Sequence, residues 1–196
     1  MSRKKSYPVR IPRVACGIRA QETRSGVNRV WWARKWMEIL ESMGLSGRLG
    51  RGKSYALSGQ VTEFVIRASR VEATVVGTRP DPYTITIDFR VPDPESRERI
   101  IAAIKAEPMY IARLLVDDLP QEIEDFFANE GYTLFPGGKI APHVYDMTTK
   151  CSCPDYANPC KHTTAALIIL GEEIARRPMT LLECRGITMK DLGYGD

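Results

Sequence analysis

The chain has 196 residues, of which 43% are hydrophobic and 27% are charged, a composition typical of soluble globular proteins. This length allows one medium domain or two small ones, with a core that needs no disulfide bonds. No apolar run approaches the ~18 residues of a membrane span. The basic N-terminus leads into no apolar stretch of the kind found in signal peptides. We therefore expect a cytoplasmic protein without a membrane partner.

Charge is distributed unevenly along the sequence. The net charge is +4, but residues 1–53 carry +10 and residues 54–196 carry −6. This asymmetry favours contact between the basic end and a polyanion, with a solvated tail as the alternative. Residues 1–27 contain seven basic residues, two prolines and two glycines without hydrophobic periodicity, which predicts a basic extended arm that is disordered when free. Within the arm, Val9, Ile11 and Val14 could form an edge strand.

Residues 28–145 have the pattern of an α+β domain. Helical spacing predicts a first helix over residues 28–43, whose buried face consists of Trp32, Trp36, Ile39, Leu40 and Met43. Residues 46–60 are punctuated by glycine and serine, so we predict a loop there.

Residues 61–90 alternate with a period of two, which predicts a three-stranded antiparallel meander with one buried face. The residues that share a face within each strand are Val61, Glu63 and Val65, then Val71, Ala73 and Val75, then Tyr83, Ile85, Ile87 and Phe89.

The sequence predicts three short helices over residues 95–130, separated by Pro108 and Pro120. Ten acidic and four basic residues lie between Asp93 and Glu130, which is typical of the solvated side of a helical layer. Residues 131–150 are predicted to be a connection. The apolar stripes of the three helices are Ile100, Ile101 and Ile104, then Met109, Ala112, Leu115 and Val116, then Ile123, Phe126 and Phe127.

Residues 146–196 contain a cluster of metal-ligand residues, Cys151, Cys153, Cys160 and His162. Disulfides are rare in the cytosol, so three cysteines and a histidine this close together predict a metal site. Four such ligands complete the tetrahedron of one structural Zn²⁺ and leave no position for a reacting water. We expect the first two cysteines at the end of a strand.

The second half of the motif predicts a helix start, with Asn158 as the N-cap and Pro159 in the first turn. The helix that follows is apolar nearly all round, so we expect it to be buried between the zinc site and the rest of the protein. Cys16 and Cys184 lie far from the cluster in sequence and are predicted to be free core cysteines. His143 is predicted to be a surface residue.

The run Cys-Ser-Cys-Pro-Asp-Tyr-Ala-Asn-Pro-Cys-Lys-His, with Ala165 three residues on, resembles the SWIM zinc finger. Over residues 28–190 the chain is similar to the prokaryotic standalone SWIM zinc finger family proteins, although their typical members lack the basic arm. The resemblance implies binding to DNA or to protein and no enzymatic activity.

Nucleic-acid binding without catalysis is the function that the sequence favours. The arm and the glycine-rich loop would contact phosphates of DNA or RNA, including ribosomal RNA. A protein–protein adaptor that docks a helicase, a recombination protein or a ribosomal protein is the alternative. An enzyme with a small-molecule substrate is disfavoured, because the sequence has no nucleophile or paired-carboxylate motif. The predicted phosphate contacts are Arg3, Lys4, Lys5, Arg10, Arg13, Arg19, Arg24, Arg48, Arg51 and Lys53.

Overall fold

The computed structural model describes residues 11–21, 30–43, 47–137 and 146–195, and within these ranges it contains seven helices and four strands. This α+β architecture confirms the predicted fold class. None of the helices in the described part of the chain has the length and apolar character to cross a bilayer. The helices are α1 (Trp31–Ser42), α2 (Gly47–Leu57), α3 (Pro94–Ala106), α4 (Pro108–Leu115), α5 (Ile123–Asn129), α6 (Lys161–Arg176) and α7 (Met179–Cys184). The strands are β1 (Val61–Arg67), β2 (Arg70–Val75), β3 (Tyr83–Phe89) and β4 (Met147–Cys151).

The four strands form one antiparallel sheet in the order β1-β2-β3-β4. The predicted inward faces of β2 and β3 are confirmed, since all seven residues that the sequence placed on these faces are buried. The prediction for β1 is wrong beyond Val61, because the register shifts between Val61 and Glu63. Such a bulge reverses which residues face the core. Phe64 and Ile66 are therefore half-buried, and Val65 is 40% exposed.

The fourth strand corrects the prediction that residues 131–150 are only a connection. Strand β4 pairs with β3 from Phe89 opposite Met147 to Ile85 opposite Cys151. A buried arginine, Arg185, anchors the start of this strand. Its guanidinium donates to the carbonyls of Arg90 (2.7 Å) and Asp146 (3.3 Å), and burial lowers its pKa. The chain that leads into the metal-ligand cluster is thus an edge strand with a fixed register.

Helix α6 lies at the centre of the fold, as its apolar sequence predicts. Every residue from His162 to Gly171 is buried. The indole nitrogens of Trp32 and Trp36 in α1 donate to the carbonyls of Ile174 and Leu167, each at 3.1 Å. A Cβ at Gly171 would lie 2.5 Å from the Trp36 ring, so glycine permits this close approach of the two helices.

The predicted loop over residues 46–60 is wrong, because residues Gly47–Leu57 form helix α2. This helix packs along α6, with Tyr55 and Ala56 buried. A Cβ at Gly52 would lie 2.5 Å from the Thr164 side chain. Here tertiary packing requires the glycine that lowers the local helix propensity.

Part of the N-terminal arm lies against the body of the protein. Backbone amides of Arg13, Ile18 and Ala20 donate to the carbonyls of Gly77, Val61 and Ala56 at 2.7–3.0 Å. The predicted disorder is therefore wrong for residues 11–21. Ile11 and Val14 are 80% and 94% exposed and do not form the suggested edge strand. Val9 lies outside the described residues. Cys16 is exposed, contrary to its predicted place in the core.

The three predicted acidic helices are present as α3, α4 and α5. The prediction is wrong for the stripe of α4, where Ile111 and Leu114 are buried instead. Both faces of this short helix are apolar, so hydrophobic spacing alone could not decide which face packs. The side chains on the mispredicted stripe, Met109, Ala112, Leu115 and Val116, are all exposed.

Candidate metal centre

The structure brings the four predicted zinc ligands together at the meeting point of β4 and α6. One ligand atom from each of Cys151, Cys153, Cys160 and His162 lies within 4.8 Å of the others. Cys151 and Cys153 are half-buried, while Cys160 and His162 are 1% and 5% exposed. The fold alone thus brings the four ligand side chains together.

Pairing beyond the end of β4 positions the first two cysteines. Ser152 continues the pairing with β3, because its amide donates to the Thr84 carbonyl and its hydroxyl accepts from the Thr84 amide, both at 3.0 Å. In extended chain, residues two apart point to the same side. Fixing Ser152 therefore directs Cys151 and Cys153 toward one point.

The N-terminus of α6 positions the other two ligands. Cys160 is the N-cap of this helix, and its sulfur accepts from the Thr163 amide at 3.5 Å. The prediction that Asn158 caps the helix is wrong. The side chain of Asn158 instead bonds Thr149 in β4, accepting from its hydroxyl (2.5 Å) and donating to its carbonyl (2.8 Å). The loop between the two ligand pairs is thereby fastened to the strand.

Three sulfurs and one imidazole are a donor set that suits Zn²⁺ in a closed tetrahedral site, with Zn–S distances of ~2.3 Å. The ligand atoms, all within 4.8 Å of one another, are close enough to share one such ion. Three thiolates would give the zinc-loaded site a net charge of −1. The positive end of the α6 dipole and the flanking Lys150 and Lys161 offset that charge. The chain therefore holds one Zn²⁺ through these four residues.

Proton distribution among the sulfurs is uneven in the metal-free cluster. A hydrogen bond from Cys151 lowers the pKa of Cys160, and bonds from His162 and Thr163 act in the same direction. The same Cys151–Cys160 bond, together with burial, raises the pKa of Cys151. Burial is also the main cause of the raised pKa of Cys153. Zinc binds cysteine as the thiolate, so any proton on these sulfurs leaves when the metal binds.

Aromatic rings fix the orientation of the histidine ligand. The His162 ring lies between Tyr83 (4.4 Å between centroids) and Tyr55 (5.3 Å). A Cβ at Gly77 would lie 2.5 Å from the Tyr83 ring and 3.3 Å from Nε2 of His162. Sequence analysis missed these three positions, because their spacing from the ligands carries no signal. They form the outer shell that sets the direction of the imidazole.

The remaining cysteines do not take part in the cluster. Cys184 is buried as predicted, and burial raises its pKa to about 12. The exposed Cys16 and the buried Cys184 are both outside the metal-ligand group. His143 lies outside the described residues.

The predicted phosphate contacts are only partly described. Arg13, Arg19, Arg51 and Lys53 have exposed side chains. Arg48 is half-buried, and its Nε atom has no hydrogen-bond partner in the described part of the chain. The predicted contacts outside the described residues are Arg3, Lys4, Lys5, Arg10 and Arg24.

A cavity of about 240 Å³ opens beside the zinc ligands. Two basic residues that the sequence analysis did not select, Arg79 and Lys161, contribute to its wall. The other residues that line it are Thr78, Tyr83, Cys153, Pro154, Asp155 and His162.

Loss of one ligand should remove the metal and loosen the core together. We expect Cys153→Ser to lower the zinc content from one ion per chain toward zero. Unfolding free energy should fall by more than about 3 kcal/mol, because structural zinc contributes about 10–16 kcal/mol in small zinc fingers. Metal analysis and urea unfolding measure the two effects, with Cys16→Ser as the matched control. Full zinc content in the Cys153 variant would contradict this ligand set.

Disturbing the residues that surround His162 should weaken zinc binding. Gly77→Ala forces Tyr83 and His162 to move, so we expect zinc to bind about tenfold to a hundredfold more weakly, as for other outer-shell changes. Competition with a chromogenic chelator measures this affinity. Gly50→Ala is the control, because a Cβ there meets nothing within 4 Å. Equal affinities in the two variants would show that the ring contacts do not orient the ligand.

Comparison with known proteins agrees with the ligand geometry. The SWIM zinc finger family matches residues 143–171, a segment that includes all four ligands. The chain is 37% identical to the uncharacterized protein Rv2102 of Mycobacterium tuberculosis over 185 aligned residues. The alignment covers 94% of this chain and 65% of the relative's length. No solved structure matches the chain. Residues 143–171 are thus similar to SWIM zinc fingers, and the four ligands within this match are the ones that the structure brings together.

Proposed function

We propose that this protein binds nucleic acid without catalysis, in the cytoplasm, through a basic surface around its zinc finger. Four protein ligands fill the coordination sphere of zinc, which supports a structural rather than a catalytic metal. A reducing compartment keeps such a cysteine cluster available for the metal.

The observation that carries this proposal is the convergence of basic side chains from separate segments on the zinc site. Arg79 and Lys161 line the cavity beside the ligands. The guanidinium of Arg13 donates to the carbonyl of Pro80 at 2.6 Å, so the N-terminal segment reaches the same loop. Lys161 also lies over the Tyr55 ring of α2, at 5.1 Å from its centroid. Cations gathered from distant parts of the sequence are what a phosphate backbone requires.

Two further features of this surface support the proposal. Among the described residues that line the cavity, only Asp155 is acidic, whereas residues 93–130 of the helical layer include ten acidic residues. Tyr156, on the loop between the ligand pairs, is 96% exposed. An exposed aromatic ring can stack on an unpaired base.

An adaptor that docks a helicase, a recombination protein or a ribosomal protein through the finger is the second candidate. Tyr156 favours it too, because exposed tyrosines are common anchors of protein interfaces. Salt dependence separates the two functions, since only phosphate contacts release condensed counterions.

Removing two cavity cations should change the salt dependence of binding. We expect the double substitution Arg79→Gln with Lys161→Gln to flatten the slope of log affinity against log salt by about 1.4–1.8, since each phosphate contributes about 0.7–0.9. Fluorescence anisotropy on duplex DNA, single-stranded DNA and structured RNA measures the slopes. Lys105→Gln with Arg176→Gln removes the same charge elsewhere and should leave the slopes unchanged. Zinc content of each variant verifies that the finger is intact.

Removal of residues 1–10 extends the same experiment to the part of the arm that precedes the described residues. Four basic residues are lost, Arg3, Lys4, Lys5 and Arg10. If all four reach phosphates, the slope should flatten by about 2.8–3.6. Unchanged slopes in both the truncated chain and the cavity variant, on every nucleic acid, would reject nucleic-acid binding by this surface in favour of the adaptor.

A further inference from the structure

Helix α4 has an outer face that the described residues of the chain leave exposed. Between Pro108 and Val116 the sequence contains one charged residue, Arg113. The inner face is buried through Ile111 and Leu114. On the outer face, Met109, Leu115 and Val116 are 66%, 53% and 73% exposed, and Ala112 is exposed with them. We name these four residues the α4 strip.

The spacing of the α4 strip makes it continuous. Met109, Ala112 and Val116 follow the i, i+3, i+7 spacing of one helix face, which extends over ~10 Å. A helix that is apolar on all sides is normally buried. Here the inner side already packs in the helical layer, where Tyr110 meets Phe126 of α5 at 5.6 Å. A contiguous apolar strip left in solvent marks an interaction surface.

The charges around the strip identify what it can bind. Glu107 and Asp117 flank it at its two ends, and both are exposed. Residues 105–125 contain six acidic and two basic residues. One of those basic residues, Arg113, is already paired with Asp118 at 2.7 Å.

Glu107 and Asp117, the exposed acidic residues at the two ends of the α4 strip, form its acidic border. The charge of this border discriminates between the possible partners. Nucleic acid and anionic membranes would be repelled by it. A second copy of this chain would place two acidic borders against each other, because a two-fold interface joins identical surfaces. A basic protein surface with its own apolar residues is complementary in both respects.

We propose that the α4 strip is a docking site for a basic amphipathic helix of another protein. The apolar face of that helix covers Met109, Leu115 and Val116, and its lysines or arginines face the acidic border. None of the four strip residues is a zinc ligand or lines the cavity beside the ligands. The docking site stands whether or not the basic surface binds nucleic acid.

Synthetic peptides of defined chemistry test the proposal on the full, zinc-loaded chain. The probe is a fluorescein-labelled 18-residue helix of leucine and lysine at helical spacing. Its controls are the same peptide with glutamate in place of lysine and one with the leucine–lysine order scrambled. We expect the leucine–lysine helix to bind at least about tenfold more tightly than either control. Leu115→Asn with Val116→Asn should weaken this binding about tenfold or more.

The matched control replaces two exposed apolar residues elsewhere, Ile11→Asn with Val14→Asn, and should leave peptide affinity unchanged. Circular dichroism and zinc content show that each variant is folded. Failure of the leucine–lysine helix to bind, equal binding of the glutamate peptide, or unchanged affinity in the Leu115 and Val116 variant would each overturn the proposal. Self-association that this variant abolishes would assign the strip to a second copy of the chain instead.

Discussion

Helix α6 couples the zinc site to the hydrophobic core, and the rest of the structure depends on that coupling. Its N-cap and second residue are zinc ligands, while the whole stretch from His162 to Gly171 is buried. Helices α1 and α2 and all four strands pack against it. A helix in such a position cannot shift at one end without disturbing its neighbours, because close-packed interiors transmit small displacements. Zinc therefore sets the position of the core helix and of the finger together.

Charge is divided between two regions of the same chain. Cations from residues 11–13, the loop at residues 77–82 and the start of α6 gather near the metal, whereas the helical layer of residues 93–130 is acidic. Surfaces of opposite sign attract different partners and repel the wrong ones. The two partners that we propose, a nucleic acid and a basic protein, would therefore not compete for one surface.

Sequence alone predicted the features that depend on local chemistry. The zinc ligands, the inward faces of β2 and β3 and the burial of α6 follow from residue type and spacing. Features that tertiary packing decides were missed: α2 forms because Gly52 fits against Thr164, and the bulge after Val61 reverses the face of β1. A strand that ends at the first two cysteines was expected, but the pairing of β4 with β3 was not, because threonines rather than apolar residues fill the centre of β4. The docked segment at residues 11–21 is held by backbone hydrogen bonds, which leave no pattern in side chains.

Amide hydrogen exchange with and without zinc tests most directly whether the metal holds the central helix. The coupling predicts that chelation lowers the protection of α6 amides from Thr163 to Gly171, together with the indole N–H groups of Trp32 and Trp36 that bond to the same helix. Protection in α3, which packs on α4 and α5, should fall less. If chelation affects only residues 151–162 and leaves the interior of α6 as protected as before, the finger is an independent unit and the coupling does not exist.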